Sequence, residues 1–278
     1  MEGKEYFLAL KLNGHDVRLK LDSGCDKPII NQTLWREIGE PDLMDIDDIR
    51  RTLTGVIPLK GGFTAKVSVA GIEFECPFQV SDDDTTRNLF GRRALAFLVD
   101  LDWNRFISDG TVAVVSDFPP HVKKRPTDSA LEWKTLPFYT DVVVNGKEFR
   151  MVLDTGAMDS IAGLYKWKEL GKPPINPVNI LVHSTSDEPI PILGECVLKI
   201  NYNGTEAQLP LLIAESYVLP AIMGTNWFDS LQPNFNSIFR GIQFDEPLEQ
   251  AAAVPNRLDG HMGADPDAPP SQSHFGKD

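Results

Sequence analysis

The chain has 278 residues, 42% of them hydrophobic and 24% charged, which is close to the average for globular chains with a real core. Its formal charge of −13 argues against nucleic-acid binding, because nucleic-acid-binding surfaces concentrate Lys and Arg. The three cysteines are too few and too scattered for a disulfide framework. The five histidines do not have the spacing of metal ligands, so we expect no metal and no other cofactor.

Neither the start of the sequence nor any later stretch has the apolar run of about 18 residues that a membrane-spanning helix needs. The start also lacks the apolar core of a signal peptide. We therefore expect no membrane association and a cytoplasmic or nuclear location. A piece cut from a longer polyprotein would have the same features.

The first half of the sequence is rich in short strand patterns. LALKLNGHDVRLKLD (8–22) reads as a two-strand ribbon, because Asn-Gly between alternating runs favours a tight hairpin turn. The ribbon ends at Asp22. A short helix is predicted over TLWREIG (33–39), a second hairpin over 64–80, and an apolar segment with glycine at NLFGRR (88–93).

The same order of elements then returns. Residues 145–173 align with 13–41 without a gap, and eleven of the 29 positions are identical. The matching hairpin falls at 197–213 and the matching apolar-glycine segment, AIMGTN, at 221–226. The chain is thus predicted to be a duplication of a β-rich unit, each copy presenting an Asp at the end of its second strand.

This repeat predicts four regions. The first unit covers 1–115, the second covers 137–246, and the proline-containing, charged segment 116–136 between them is a linker. Residues 247–278 lack periodicity and are rich in Pro, Asp, Ala and Gly, which predicts a disordered tail.

Asp22 and Asp154 stand in matching settings, each after an apolar strand and before a hydroxyl residue and a glycine. Glycine lets the chain turn sharply near the carboxylate. If a pseudo-two-fold axis relates the units, the two carboxylates can meet, and such a pair shares one proton. One member can then activate a water while the protonated member polarises a peptide carbonyl. The pair would titrate as a unit.

The LDSG and LDTGA motifs, the flap-like segments that follow, and the LFGR and AIMG elements resemble the retropepsin-like aspartic proteases of retroviruses and Gypsy-type retrotransposons. The resemblance covers roughly residues 5–110 and 138–245. It implies an all-β fold in which two closed β-barrels, each with a short helix, form a single-chain pseudodimer. It also implies an aspartic endopeptidase whose catalytic dyad is Asp22 and Asp154.

The resemblance assigns further roles by position. Ser23 and Thr155 would exchange hydrogen bonds between the two loops, with Gly24 and Gly156 supporting the dyad. Segments Thr54–Gly62 and Ser184–Gly194 would be flaps over an extended polypeptide substrate, bound by strand addition. The substrate-binding residues implied in this way are Asp26, Asp159, Thr54, Gly55 and Ser186.

The sequence departs from the family pattern at several positions. The family commonly continues DTGAD, whereas the second copy has Met158 at the acidic position and Asp159 one place later. Cys25 and Ala157 stand where a hydroxyl can stabilise the ionised dyad in pepsin-like enzymes. Without that donor the apparent pKa values of the dyad should rise, which predicts an optimum in mildly acidic to near-neutral conditions.

Several alternatives stay open at the level of sequence. The two Asp residues could be turn caps, and Cys25 could be a nucleophile or a small apolar filler. Arg92 and Arg93 could form ion pairs between the halves or be solvated. The chain could also be a catalytically silent module that binds peptides or scaffolds proteins. Finally, a monomer with both halves paired internally is expected, although the linker would permit a swapped homodimer.

Overall fold

The computed structural model of the chain describes residues 2–46, 49–52, 55–115 and 135–243. The predicted tail and the predicted linker up to residue 134 lie outside this part of the chain. The strands of the first half are β1 (Phe7–Leu12), β2 (His15–Leu21), β3 (Ile29–Ile30), β4 (Arg50–Arg51), β5 (Val56–Ile57), β6 (Leu59–Val69), β7 (Ile72–Ser81) and β8 (Leu89–Phe90).

Six of these strands form a closed barrel in the order β1-β2-β8-β3-β7-β6, and β1 and β6 join where Lys11 pairs with Ser68. The alternation in β1 turns every second side chain into the barrel, as a half-buried strand requires. The predicted ribbon is confirmed: Asn13 and Gly14 have φ angles of 50° and 88°, the left-handed conformation of a two-residue hairpin turn.

The second half contains β9 (Tyr139–Val144), β10 (Lys147–Leu153), β11 (Ile161–Gly163), β12 (Val182–His183), β13 (Pro189–Ile190), β14 (Ile192–Tyr202), β15 (Thr205–Ala214) and β16 (Ile222–Met223). Its main sheet has the order β10-β16-β11-β15-β14-β9, and β9 pairs with β10 as well as with β14. Strand for strand this is the cyclic order of the first half. The predicted second ribbon and long hairpin are also confirmed.

The two predicted short helices are α1 (Gln32–Glu37) and α4 (Leu164–Glu169), numbered in chain order. Both are present as expected, but each half also contains helices that the sequence did not predict. The first half also contains α2 (Arg92–Leu95) and α3 (Trp103–Asp109). The second adds α5 (Phe228–Leu231) and α6 (Phe235–Arg240), preceded by a 3-10 turn at Thr225–Trp227.

Helices α3 and α6 begin at equivalent caps. Asp102 accepts a hydrogen bond from Arg105 N–H, and Asn234 accepts one from Ser237 N–H, which satisfies N–H groups that a helix start leaves free. The helices pack against each other, and the rings of Trp103 and Phe239 meet edge to face at 5.2 Å. Because these two rings belong to different halves, the helix pair ties the halves together.

The core is continuous across the halves. One cluster of buried apolar side chains contains residues from both main sheets and from the α3–α6 pair, including Leu8, Leu19, Trp103, Met151, Trp227 and Phe239. Burial of this shared apolar surface is the main source of stability for the paired arrangement. None of the helices in the described ranges is long and apolar enough to cross a bilayer.

Candidate active site

Each Asp follows the second strand of its half. Its backbone N–H is held by a hydrogen bond to the neighbouring parallel strand. Asp22 follows β2, and its N–H donates to Phe90 O in β8 at 3.1 Å. Asp154 follows β10, and its N–H donates to Met223 O in β16 at 3.0 Å. The apolar-glycine segments that the sequence showed twice are therefore the strands that hold the two Asp loops.

The carboxyl group of each Asp lies against the glycine of the opposite loop. A Cβ placed on Gly24 would lie 2.2 Å from Asp154 Oδ2, and one on Gly156 would lie 2.5 Å from Asp22 Cγ. Any side chain at either position would displace the facing carboxyl. Glycine is required here by space, and the structure brings the two carboxyl groups to one place.

Backbone N–H groups hold the carboxyl oxygens. Asp154 Oδ1 accepts from Gly156 N–H at 2.8 Å and from Gly24 N–H across the loops at 3.1 Å. Asp22 Oδ1 accepts from Cys25 N–H at 2.9 Å. These bonds fix the orientation of both groups with donors that do not change with pH.

Ser23 and Thr155 connect the loops directly. Ser23 N–H donates to Thr155 Oγ1 and Thr155 N–H donates to Ser23 Oγ, both at 2.9 Å. Each hydroxyl in turn donates to a carbonyl of the other half, at Leu153 and at Leu21. The two residues are fully buried, so these bonds are shielded from water.

The pKa of Asp154 is raised to about 7, first by burial and then by the negative charge of Asp22. The N–H groups of Gly156 and Gly24 oppose this rise, and so does the charge of Lys20. Close carboxylates cannot both ionise at low cost. At mildly acidic pH the Asp154 carboxyl therefore holds a proton.

Cys25 is not suited to be a nucleophile. Burial raises the pKa of its thiol to about 12, because desolvation outweighs the positive charge of Arg50. The thiol donates to Lys27 O at 2.9 Å and contacts the Arg50 guanidinium. Since the thiolate is the reactive form, Cys25 acts here as a buried polar filler that packs against Arg50.

Two short hairpins overlap the predicted flaps only in part, because each begins before the predicted segment. The ends of the predicted flaps, 59–62 and 192–194, belong instead to the long strands β6 and β14. Strands β4 and β5 form the first hairpin, and β12 and β13 form the second. The tips touch: Thr52 Oγ1 and Ser186 Oγ are 3.1 Å apart, and a Cβ on Gly55 would lie 2.7 Å from Glu188 Oε2. Thr54 lies outside the described residues.

The dyad and the hairpins enclose a cleft of about 610 Å³. Residues from both halves line it, among them Asp22, Asp154, Thr52, Ser184, Ile161 and Leu89. A volume of this size fits several residues of an extended peptide or a comparable small molecule.

The predicted substrate-binding residues have different surroundings. Asp26 lines the cleft, but its Oδ1 already accepts from Thr135 N–H at 2.8 Å and from Thr135 Oγ1 at 2.5 Å. Asp159 also lines the cleft, and burial raises its pKa. Ser186 and Gly55 belong to the contact between the hairpin tips.

The sequence left the role of Arg92 open, and the structure places it under the first Asp loop. Arg92 is 4% exposed, and its guanidinium donates to Ser23 O at 2.8 Å, Thr135 O at 3.0 Å and Thr135 Oγ1 at 3.2 Å. Arg92 thus connects the first Asp loop to the segment that leads into the second half. In the second half Thr225 stands in its place and accepts from Lys4 N–H at 2.8 Å.

Sequence reasoning missed Thr135 as a partner of the first Asp loop and Lys4 as a partner of Thr225. Both contacts use backbone groups, and both join parts of the chain far apart in sequence. No motif marks such contacts. The one available signal was the repeat itself, because Lys4 and Thr135 precede the first strand of each half at similar distances.

No family model matches the chain. Over 88 residues it is 27% identical to an uncharacterized protein of Caenorhabditis elegans, and the match covers 32% of this chain and 7% of that protein. Among solved structures, it is similar to EIAV protease in complex with an inhibitor, at 17% identity and a TM-score of 0.31, over 41% of this chain and 95% of that one. It is also similar to the retroviral protease-like domain of Ddi1 from Leishmania major, at 17% identity and a TM-score of 0.28, over 35% of this chain and 74% of that one.

Proposed function

We propose that the chain is an aspartic endopeptidase that hydrolyses peptide bonds of an extended polypeptide. The attacking water would be activated between Asp22 and Asp154. In this proposal residues 1–115 and 137–246 are two retropepsin-like domains paired as a pseudodimer within one chain. The linker 116–136 joins them and the tail 247–278 follows. The observation that carries the proposal is the reciprocal placement of two carboxyl groups, each against the glycine of the opposite loop.

Hydrolysis by this pair needs one water and one shared proton. The ionised carboxylate takes a proton from the water, whose oxygen attacks the peptide carbonyl carbon. The protonated carboxyl donates to the carbonyl oxygen, which gives a tetrahedral diol. The carboxyl that took the proton of the water then gives it to the leaving nitrogen as the C–N bond breaks. The other carboxylate takes a proton from a hydroxyl of the diol, so the pair again holds one proton. The fixed N–H donors keep both carboxyl groups in position through this exchange.

The hairpins provide the second part of the function. An extended peptide lying between the dyad and the hairpin tips would exclude water from the reacting bond and be held by main-chain hydrogen bonds. Opening the contact between Thr52 and Ser186 would admit the peptide. A single half-buried hydroxyl contact of this kind contributes only about 0.5–1.5 kcal/mol, so the hairpins can part at low cost.

Cleavage of a diverse peptide pool at about pH 5, near the ordinary carboxyl range, tests the proposal. Asp22→Asn and Asp154→Asn should each abolish cleavage, and a statine-type mimic of the transition state should block it. Asp141→Asn, at an exposed ion pair with Arg150, is the matched control and should leave cleavage unchanged. A folded chain that cleaves nothing between pH 4 and 7 would favour the silent peptide-binding module. Mass measured at dilute concentration should be that of a monomer, whereas a dimer would favour the swapped assembly.

A further inference from the structure

The cleft has a first wall, formed by the first half, and a second wall, formed by the second half. The two walls differ in charge although the halves share one topology. In β2, Lys20 pairs with Leu89 and lines the cleft; the equivalent pair in the second half is Val152 with Ile222. A cation on the first wall thus corresponds to an apolar side chain on the second. This difference lies two residues before each catalytic Asp.

Two further positions show the same replacement. Arg87 directly precedes Asn88, whose carbonyl accepts from Lys20 N–H; its counterpart is Pro220, before Ala221. In the hairpins, Arg51 pairs with Val56 next to the tip, and its counterpart is His183. The first wall therefore carries three cations at places where the second wall carries valine, proline and histidine.

Glu5 forms ion pairs with two of these cations, Lys20 and Arg87. Lys20 Nζ lies 2.7 Å and Arg87 Nη1 lies 3.2 Å from the same oxygen, Glu5 Oε1. Two positive groups share one carboxylate, so the group keeps an excess positive charge. Lys20 is only 4% exposed, and its charge makes a small contribution that lowers the pKa of Asp154.

Two other cations along the cleft, Arg50 and Arg92, are engaged in the structure itself. Arg50 contacts Cys25 and donates to Lys27 O and Gln79 Oε1. Arg92 donates to Ser23 O and Thr135. Lys20, by contrast, has three ammonium donors and uses one of them for Glu5, and Arg87 is half exposed.

We propose that the cleft selects extended peptides with an acidic side chain against Lys20 and Arg87 and an apolar side chain against Val152 and Pro220. Consecutive side chains of an extended peptide point to opposite sides. An acidic residue and an apolar residue at consecutive positions would therefore point to opposite walls. The peptide bond that joins them would face the dyad. A buried ammonium gains most from a partner that completes its hydrogen bonds, and a Glu or Asp carboxylate does this. The assignment of cleavage to such a peptide rests on the proposed function, but the binding preference does not.

Binding and cleavage are measured separately so that the two proposals can fail separately. Two fluorescent peptides are compared. They are identical except for Glu or Gln at the position proposed to lie against Lys20 and Arg87. Their binding to the Asp154→Asn chain is followed by fluorescence anisotropy, and their cleavage by the unmodified chain is followed by mass spectrometry. We expect the Glu peptide to bind about tenfold more tightly, as one ionic hydrogen bond in a partly desolvated site gives. This ratio should shrink at high salt.

Arg87→Met removes an exposed cation without affecting the core and should reduce the ratio several-fold; Lys20→Met should reduce it further. Lys199→Met, at a surface ion pair with Glu206, is the control and should leave the ratio unchanged. Val152→Lys should make the second wall accept an acidic residue.

Equal binding of the two peptides, or a ratio that survives loss of both cations, would overturn the inference. Displacement of the Glu peptide by an oligothymidylate at similar concentration would also overturn it, because the wall would then be a general anion site. Selective binding without cleavage would uphold the inference and contradict the proposed function.

Discussion

The hydroxyl oxygens of Ser23 and Thr155 each accept a hydrogen bond from the backbone N–H of the other residue, at 2.9 Å in both directions. Each hydroxyl then donates to the carbonyl just before the other half's Asp, at 3.0 Å for Leu153 and 3.1 Å for Leu21. Four bonds therefore connect the residues that flank the dyad. The positions of the two carboxyl groups depend on this connection more than on either half alone.

Thr155→Val tests this connection. The valine has nearly the same shape, but it leaves Ser23 N–H and Leu21 O without their partner in a fully buried place. We expect the free energy of unfolding, measured by urea denaturation, to fall by about 2–4 kcal/mol, since each orphaned buried group costs on the order of 1–3 kcal/mol. Thr155→Ser keeps the hydroxyl and should lose about 1 kcal/mol or less for one methyl group. Equal losses in the two variants would show that packing, not hydrogen bonding, holds the loops.

Arg92→Lys tests the link between the first Asp loop and Thr135. Lysine keeps the charge but cannot reach Ser23 O and Thr135 O together, because it lacks the planar fork of the guanidinium. We expect a loss of about 2–3 kcal/mol in the free energy of unfolding, the cost of hydrogen bonds from a buried charge. Arg36→Lys on exposed α1 should change stability by less than about 0.5 kcal/mol. A similarly small change for Arg92→Lys would mean that Thr135 does not depend on this side chain.

The contact between α3 and α6 should couple the halves through their asparagines. Asn236 Oδ1 accepts from Trp103 N–H at 2.6 Å, and its Nδ2 donates to Asp102 Oδ1 at 2.9 Å. In the reverse direction Asn104 Nδ2 donates to Asn234 Oδ1 at 3.1 Å. Asn236→Ala should lower the free energy of unfolding by about 1–3 kcal/mol.

A double-mutant cycle with Asn104→Ala separates local cap effects from coupling. Asn104 Nδ2 donates to Asn234 Oδ1 at 3.1 Å, a bond between two side chains of different halves, so Asn104→Ala and Asn234→Ala should be non-additive by at least about 0.5 kcal/mol. Additive losses would show that each asparagine stabilises only its own helix.

What could be predicted from the sequence is what local rules decide. The Asn13-Gly14 turn, the strand that ends at Asp22 and its copy at Asp154 each follow from a few neighbouring residues, and the repeat supported every one of them. Even the missed helix α3 had a local signal, since Asp102 and Asn234 are N-caps at matching places. That signal was short and lay outside the aligned block.

The remainder depends on how the halves pack. The alternating pattern of β2 does not distinguish Lys20 from the other residues of the strand. Its partners Glu5 and Arg87 come from other segments and lie beside it only in the folded chain. Asp26 was expected to bind substrate, yet Thr135, which is 109 residues further along the chain, occupies one of its oxygens. Partners at such separations are set by tertiary contacts that no local pattern encodes.

The pH dependence of cleavage should reflect the shared proton. The pKa of Asp154 is about 7, so at higher pH the pair loses the proton that polarises the peptide carbonyl. We expect kcat/KM to be high in mildly acidic solution and to fall tenfold per pH unit well above about pH 7. The profile is measured with one peptide over pH 4 to 9, with unfolding followed at each pH as the control. Activity that is maintained at pH 9 would contradict a shared proton in this site.

The same shift affects stability, and Asp154→Asn isolates it. The pKa of Asp154 is higher in the folded chain than its ordinary value of 3.8, so the folded state holds this proton more tightly than the unfolded state. Its contribution therefore favours folding at low pH and is lost as pH rises from about 4 to about 7, where the half-buried carboxyl must ionise. Asparagine has no proton to lose and still offers an oxygen to Gly156 N–H and Gly24 N–H. The variant should match the unmodified chain at pH 4 and be more stable by on the order of 2 kcal/mol at pH 8, a value below the full shift because the group is partly solvated. Urea denaturation at both pH values measures the difference, with Asp141→Asn as the exposed control. A variant that is equally or less stable at pH 8 would mean that the ionised pair is stabilised by contacts that asparagine cannot replace.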